Sequence, residues 1–328
     1  MCETPASALS FEVTNSGSID TSLDSTCNGG IVPQPGAPSL CVLRYGRINV
    51  PAGITLKIVG TRPVALIADV DLNISGILDV SADGLSNGPG GGAALSGEST
   101  FRDIGGGGAG FQTAGANGGN ATTDGGGGLG GAIGLNPATL AAFFGGPQSG
   151  ATPGRVTGGG GGGGLALVSC RGTVMVEGII DAGGGGGAAG FHLVIPIAAR
   201  GGGAGGHVVI AAPRVLITGE VYANGGAGGM GVFSSMLEGA HGQDGSRSAT
   251  DAAHGGTSTG GAGAGGAGGV VGMLPGIGLK PSAAGGSAGG GGGSVGFLQI
   301  YMPQGSTATL TPRAVSPGFQ PQAVVPTR

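Results

Sequence analysis

The chain has 328 residues, of which 84 are glycine and 19 proline; 9% are charged, 4% are aromatic, none is tryptophan, and the formal net charge is -4. An ordinary domain carries about 7% glycine and about 25% charged residues, so a typical enzyme composition and a charge-rich disordered chain are both excluded. Thirteen lysines and arginines in such a length leave no electrostatic footprint for nucleic acid.

The chain opens Met1-Cys2, followed by the polar run Glu3-Thr4-Pro5-Ala6-Ser7. This reads as the start of a mature lipoprotein, with Cys2 carrying the lipid; the competing reading is an ordinary second-residue cysteine. Cys27 and Cys41 flank a Gly/Pro-rich loop, and a bridge there would contribute roughly 3 kcal/mol by chain entropy. With Cys2 and Cys170 the four cysteines allow three connectivities, and the sequence does not choose among them. No Cys/His spacing suits zinc. The cysteines fit an export compartment better than the cytosol. No apolar stretch is long enough to span a bilayer as a helix.

Residues 1–37 read as a tether and cap, and 38–60 as an opening segment turned by Pro51-Ala52-Gly53. Three look-alike β blocks follow, at Val64–Val80, Leu165–Ala182 and Val208–Asn224. Each is an apolar run, a turn, an alternating run, a glycine and a short β run. Val70, Leu72 and Ile74 alternate with Asp71, Asn73 and Ser75, the period of a half-buried strand. The shared glycines Gly76, Gly178 and Gly219 read as structural corners, with Asp79 and Asp181 at the strand exits beyond them. A degenerate fourth copy runs from Val295 to Leu310. One helix is expected, at Pro137–Phe144 capped by Asn136.

Between the blocks lie glycine-rich stretches over 85–160, 183–204 and 225–291. The spacing predicts an all-β fold: a β-solenoid or β-helix-like set of short strands, with these stretches as large insert loops projecting from one side. The repeat-containing domain spans 38–310, and 311–328 is a Pro-rich tail. Runs such as Gly158–Gly164 and Gly289–Gly293 suit either disorder or ordered polyglycine. Ordered chains in the polyproline-II conformation would bond to one another, and the apolar company of these runs favours order.

Sites of chemistry are sparse. Matches to G-x-G-x-x-G occur by chance and sit in no βαβ unit. Gly285-Gly-Ser287-Ala-Gly289 fits the nucleophile-elbow pattern without its α/β context. His241, Asp244, Asp251 and His254 gather within 14 residues and could ligate a divalent metal; a solvated loop is the plainer reading. Asp79, Asp83 and Asp181 could hold calcium, but aspartate is also a standard turn residue. Asp79 and Asp181 could stand as neighbours, the pair a glycosidase needs, yet aromatic sugar platforms are lacking and a structural ladder is preferred.

The motifs Gly60-Thr-Arg-Pro63-Val-Ala-Leu, Ile74-Ser-Gly-Ile-Leu-Asp79-Val-Ser-Ala, Gly163-Gly-Leu-Ala-Leu-Val-Ser-Cys170 and Ile179-Ile-Asp181-Ala resemble those of glycine-rich exported (lipo)proteins of the myxobacterial type. The resemblance covers most of residues 38–300. It implies export and lipid anchoring, and brings no activity or catalytic residue. The expected function is therefore a non-enzymatic, extracytoplasmic surface or matrix protein in adhesion or structure. The alternative is a polysaccharide-binding or polysaccharide-active protein. Expected partners are cell-surface or matrix polysaccharide or other surface proteins, with no nucleic acid and no cofactor, and with a membrane only through a lipid anchor. An ice- or mineral-facing role is disfavoured by the absence of regular Thr-x-Thr ladders.

Overall fold

The computed structural model describes residues 2, 9–92, 103–120, 128–131, 142–150, 158–192, 196–233, 238–320 and 323–325. Most of the expected helix at Pro137–Phe144 lies outside these; Phe143 and Phe144, which are described, are not helical. The one helical turn among the described residues is the 3-10 segment Asp24–Thr26.

The three β blocks each deliver three strands, and each strand joins a different sheet. Val64–Ala68 pairs in parallel with Ala37–Tyr45 on one side and Gly164–Ser169 on the other. His207–Ala211, Phe297–Pro303 and Ala323–Val325 continue this sheet, and Gly30–Gln34 closes its other edge antiparallel to Ala37–Tyr45. This seven-stranded sheet is called sheet I. The second strands, from Ser10–Glu12 through Arg47–Val50, Leu72–Ile74, Thr173–Val176 and Arg214–Ile217 to Thr307–Leu310, make six-stranded sheet II. The third strands, from Gly17–Asp20 through Thr55–Val59, Ile77–Asp79, Ile179–Asp181 and Glu220–Tyr222 to Ala314–Ser316, make six-stranded sheet III.

The three sheets enclose one core. Alternation puts every second side chain inside, and the parallel register lines like positions into columns. Leu72, Val174 and Val215 form one such column, and Leu78, Ile180 and Val221 another, all at most 1% exposed. The corner glycines Gly76, Gly178 and Gly219 stand between sheets II and III, each against the layer before it. A Cβ on Gly178 would overlap the carbonyl oxygen of Gly76, and one on Gly219 that of Gly178. None of the three has positive φ, so close approach alone demands glycine there.

The expected β-solenoid with projecting loops is corrected. The strands form three long, largely parallel sheets of seven, six and six strands, not rungs of a fixed repeat. The chain between strand triplets varies too much in length for one repeat: Gly76 and Gly178 are 102 residues apart, Gly178 and Gly219 only 41. The described parts of the glycine-rich stretches are also not projecting loops. They pack largely side by side as extended chains into a second body, which lies against the outward face of sheet I.

Gly289–Gly293 is the central chain of that body. The N–H groups of Gly289 and Gly292 donate to Leu279 and Gly276, those of Gly290 and Gly293 to Gly229 and Gly226, and those of Gly291 and Ser294 to Gly106 and Ala109. The carbonyls accept with the same period, from Gly119 and Ala116, from Gly266 and Gly269, and from Gly202 and Gly205. Partners thus recur every third residue, as three residues per turn require, and six neighbouring segments surround one chain. Every backbone polar group of the run is satisfied, which burial demands. A Cβ at Gly290 would overlap the carbonyl oxygen of Arg200, and one at Gly292 that of Ala267. Only glycine allows this separation.

An aromatic layer joins the two bodies. Phe143 packs on Val42, Ala65 and Ile67 of sheet I, while Phe111, Phe144 and Phe297 meet around Ala109 and Ala204. Gln34 fixes Phe143 by accepting its N–H at 2.6 Å and donating to its carbonyl at 2.7 Å.

Candidate functional site

The paired aspartates do come together. Asp79 and Asp181 are in register on neighbouring strands of sheet III, facing outward from the sheet core. Each first satisfies the chain that leaves the strand. Asp79 Oδ1 accepts from Ser81 N at 2.9 Å and Ser81 Oγ at 2.6 Å, and Asp181 Oδ1 accepts from Gly183 N at 2.9 Å. The remaining oxygens meet one arginine: Arg247 Nε donates to Asp181 Oδ2 at 2.6 Å and Nη2 to Asp79 Oδ2 at 3.2 Å. Lys57 Nζ lies 3.7 Å from the same oxygen of Asp79.

Both carboxylates are nearly buried, at 7% and 4% exposure. Burial raises the pKa of Asp181, an effect that the hydrogen bond and charge of Arg247 oppose. The Arg247 pKa is raised by Asp181 and Asp79 against its own desolvation. Glycoside hydrolysis needs one carboxylic acid and one carboxylate flanking the bond to be cut. Here a guanidinium fills the space between them, so the arrangement is a clamp that ties strand exits to a loop.

That loop holds the four residues read as a metal segment, and their polar groups engage different partners. Asp244 Oδ1 accepts from Gly84 N at 3.0 Å and Gly186 N at 2.7 Å, pinning two glycine segments. His241 faces Glu238 at 3.4 Å, Asp251 meets the hydroxyl of Ser248 at 3.2 Å, and the backbone of His254 donates to Gln243. Among the described residues no group of three or more His, Cys, Asp or Glu side chains gathers to hold a metal. Asn224, at 0% exposure, completes the strap: its Nδ2 donates to the carbonyls of Ser246 and Ser248, and its Oδ1 accepts from Ser316 Oγ at 2.5 Å.

Asp83 lies apart from this clamp, in a short antiparallel bridge with Ser86. Ser287 of the elbow-like motif is fully buried, accepts from Val232 N and donates to neighbouring carbonyls, so no substrate reaches it as a nucleophile.

Sequence reasoning missed His207. It lies in the aromatic layer at 3% exposure, with Nε2 2.7 Å from Gln299 Oε1 and its ring 4.9 Å from that of Phe143. Its Nδ1 is buried without a hydrogen-bond partner among the described residues. Burial lowers its pKa to about 4, against the hydrogen bond of Gln299. Arg247 and Asn224 were missed too; the one available signal was a lone arginine in a long, charge-poor tract.

Cys27 and Cys41 are bonded, with Cα atoms 5.2 Å apart, and lock the antiparallel edge of sheet I. Cys2 is bonded to Cys170. The Cys2 sulfur is therefore engaged within the fold in this structure. Two disulfides among four cysteines belong to the chemistry of an oxidising environment. No helix among the described residues is long and apolar enough to cross a membrane.

The outer chains of the glycine body present a regular surface. Ala114, Asn117 and Asn120 are exposed at every third position, as are Asp251, His254 and Thr257. Beside them Leu274 and Ile277 stand 76% and 62% exposed, with Met273 and Leu279 adjoining.

No family model, curated protein or solved structure matches the chain.

Proposed function

We propose that the protein is a non-enzymatic component of the cell exterior, secreted or on the outer surface, with an adhesive or structural role. The observation that carries this reading is the glycine body. Interior backbone groups bond to one another, and outer chains turn a side chain to solvent at every third position. Such a body is a rigid support for a displayed surface. The exposed aliphatic row at Leu274 and Ile277 suits contact with other molecules. The two disulfides and the resemblance to exported glycine-rich proteins support an extracytoplasmic setting. The occupied carboxylates at Asp79 and Asp181 support a role without turnover.

Protease shaving of intact cells tests the location. The protein is expected to be cleaved on intact cells; protection there, with cleavage in lysates, would overturn the reading. Polysaccharide hydrolysis that disappears in Asp79→Ala would overturn the non-enzymatic part.

A further inference from the structure

The outward face of sheet II differs from the rest of this acidic protein. Its register puts one side chain per strand into a row: Ser10, Arg47, Asp71, Thr173, Arg214 and Thr307. Neighbouring rows of parallel strands lie about 4.8 Å apart, so the row is a straight polar track across the sheet. At one end the charges cancel. Arg47 pairs with Asp71 at 3.0 Å, and Asp71 also accepts from the backbone of Thr173. At the other end they do not. Arg171 and Arg214 are exposed and, among the described residues, neither forms an ion pair. They border an open cleft of about 460 Å³, with Thr173, Ser306, Thr307 and the Arg47-paired Asp71 in its lining.

We propose that this cleft binds an acidic polysaccharide. The two guanidiniums would pair with carboxylate or sulfate groups, for which their planar fork of donors is suited. The hydroxyls of Thr173, Ser306 and Thr307 would meet sugar hydroxyls. Met175 and Leu216, half-buried in the adjoining row, offer an apolar strip to the C–H faces of the rings. A straight track with one residue per strand fits a linear polymer. The lining holds no aromatic ring on which a nucleic-acid base could stack.

The inference rests on the surface-protein reading only for where such a polymer is met. Binding by purified protein reads the cleft and shaving of cells reads the location, so either can fail alone.

The test is affinity electrophoresis of the purified full chain through gels holding polygalacturonate, dextran sulfate, neutral dextran or single-stranded DNA. Retardation is expected with one or both acidic polysaccharides, which separates carboxylate from sulfate recognition, and it should weaken with salt. The double variant Arg171→Gln/Arg214→Gln should bind about tenfold more weakly. Both side chains are exposed, so an unchanged circular dichroism spectrum is expected. Arg313→Gln, on another corner, should bind as the parent does. Retardation by neither acidic polysaccharide, undiminished binding by the double variant, or equal binding of DNA would each overturn the proposal.

Discussion

The sheet body and the glycine body bury their chain by opposite means. In the three sheets, side chains fill the interior, and backbone groups are satisfied only along the sheet. Leu72, Val174 and Val215 can sit in one column because a side chain projects inward at every second residue. In the glycine body the interior is backbone itself, and hydrogen bonds leave each chain in three directions. The lesson concerns tolerance. A side-chain core can relax around a smaller residue, whereas a backbone core has no group that can move aside for a larger one.

The sharpest way to break this comparison is to add atoms to the central glycine chain. Gly292→Val should prevent folding, and Gly292→Ala should cost at least about 3 kcal/mol, because the new Cβ meets a carbonyl rather than a flexible side chain. Gly318→Ala, with open space around it, should change stability by less than about 0.5 kcal/mol. Denaturant titration reads all three, and a mild Gly292→Ala would sink the backbone-core account. Removing atoms from the sheet core is the counterpart: Leu72→Ala should cost about 3 kcal/mol, within the range for large-to-small core changes.

His207 sits between the two bodies and supplies a pH test. Its folded pKa of about 4 lies below the ordinary 6.5, so the unfolded chain holds the extra proton between those values. This contribution is therefore complete above pH 6.5 and is lost as pH falls toward 4. The drop should be about 3 kcal/mol, from about 1.4 kcal/mol per pKa unit. Stability curves at pH 7 and 4.5 should diverge for the parent and much less for His207→Gln.

A more modest loss is expected at the clamp. Arg247→Gln leaves the nearly buried Asp181 without its cation and Asp79 with only Lys57. Because Arg247 is 40% exposed, the cost should be about 2 kcal/mol at pH 7, below the range for fully buried pairs. The penalty should shrink on acidification as Asp181 takes up a proton, and a variant insensitive to pH would refute the clamp.

The strands of the sheet body were legible because alternation and β-branched content speak locally, but their gathering into three long sheets was not, because pairing between distant segments leaves no local mark. Val64–Val80 and its two look-alikes reveal their strands and their shared corner glycines without reference to partners. The glycine body was legible only as composition. Gly289–Gly293 has no side chains to carry a pattern, and its six neighbours come from segments scattered between residues 106 and 279. A signal did exist on its rim: Asn117-Gly-Gly-Asn120 and His254-Gly-Gly-Thr257 turn a polar residue outward at each third position, the period of the extended helix. The aspartate pair was visible because Asp79 and Asp181 hold the same place in two look-alike blocks. Its partner Arg247 was not, because no local rule ties an arginine in a long tract to strand ends that precede it by 66 and 168 residues.

The central position of Gly289–Gly293 has a consequence for how the molecule is made. This run leaves the ribosome after all six of the segments that surround it. Those segments must wait, unpaired at their inner sides, until the last chain threads into place. The glycine half is thus completed only once residues 289–293 have been made, a non-local step that slows folding. A body whose central chain follows all of its neighbours in the sequence cannot be assembled segment by segment.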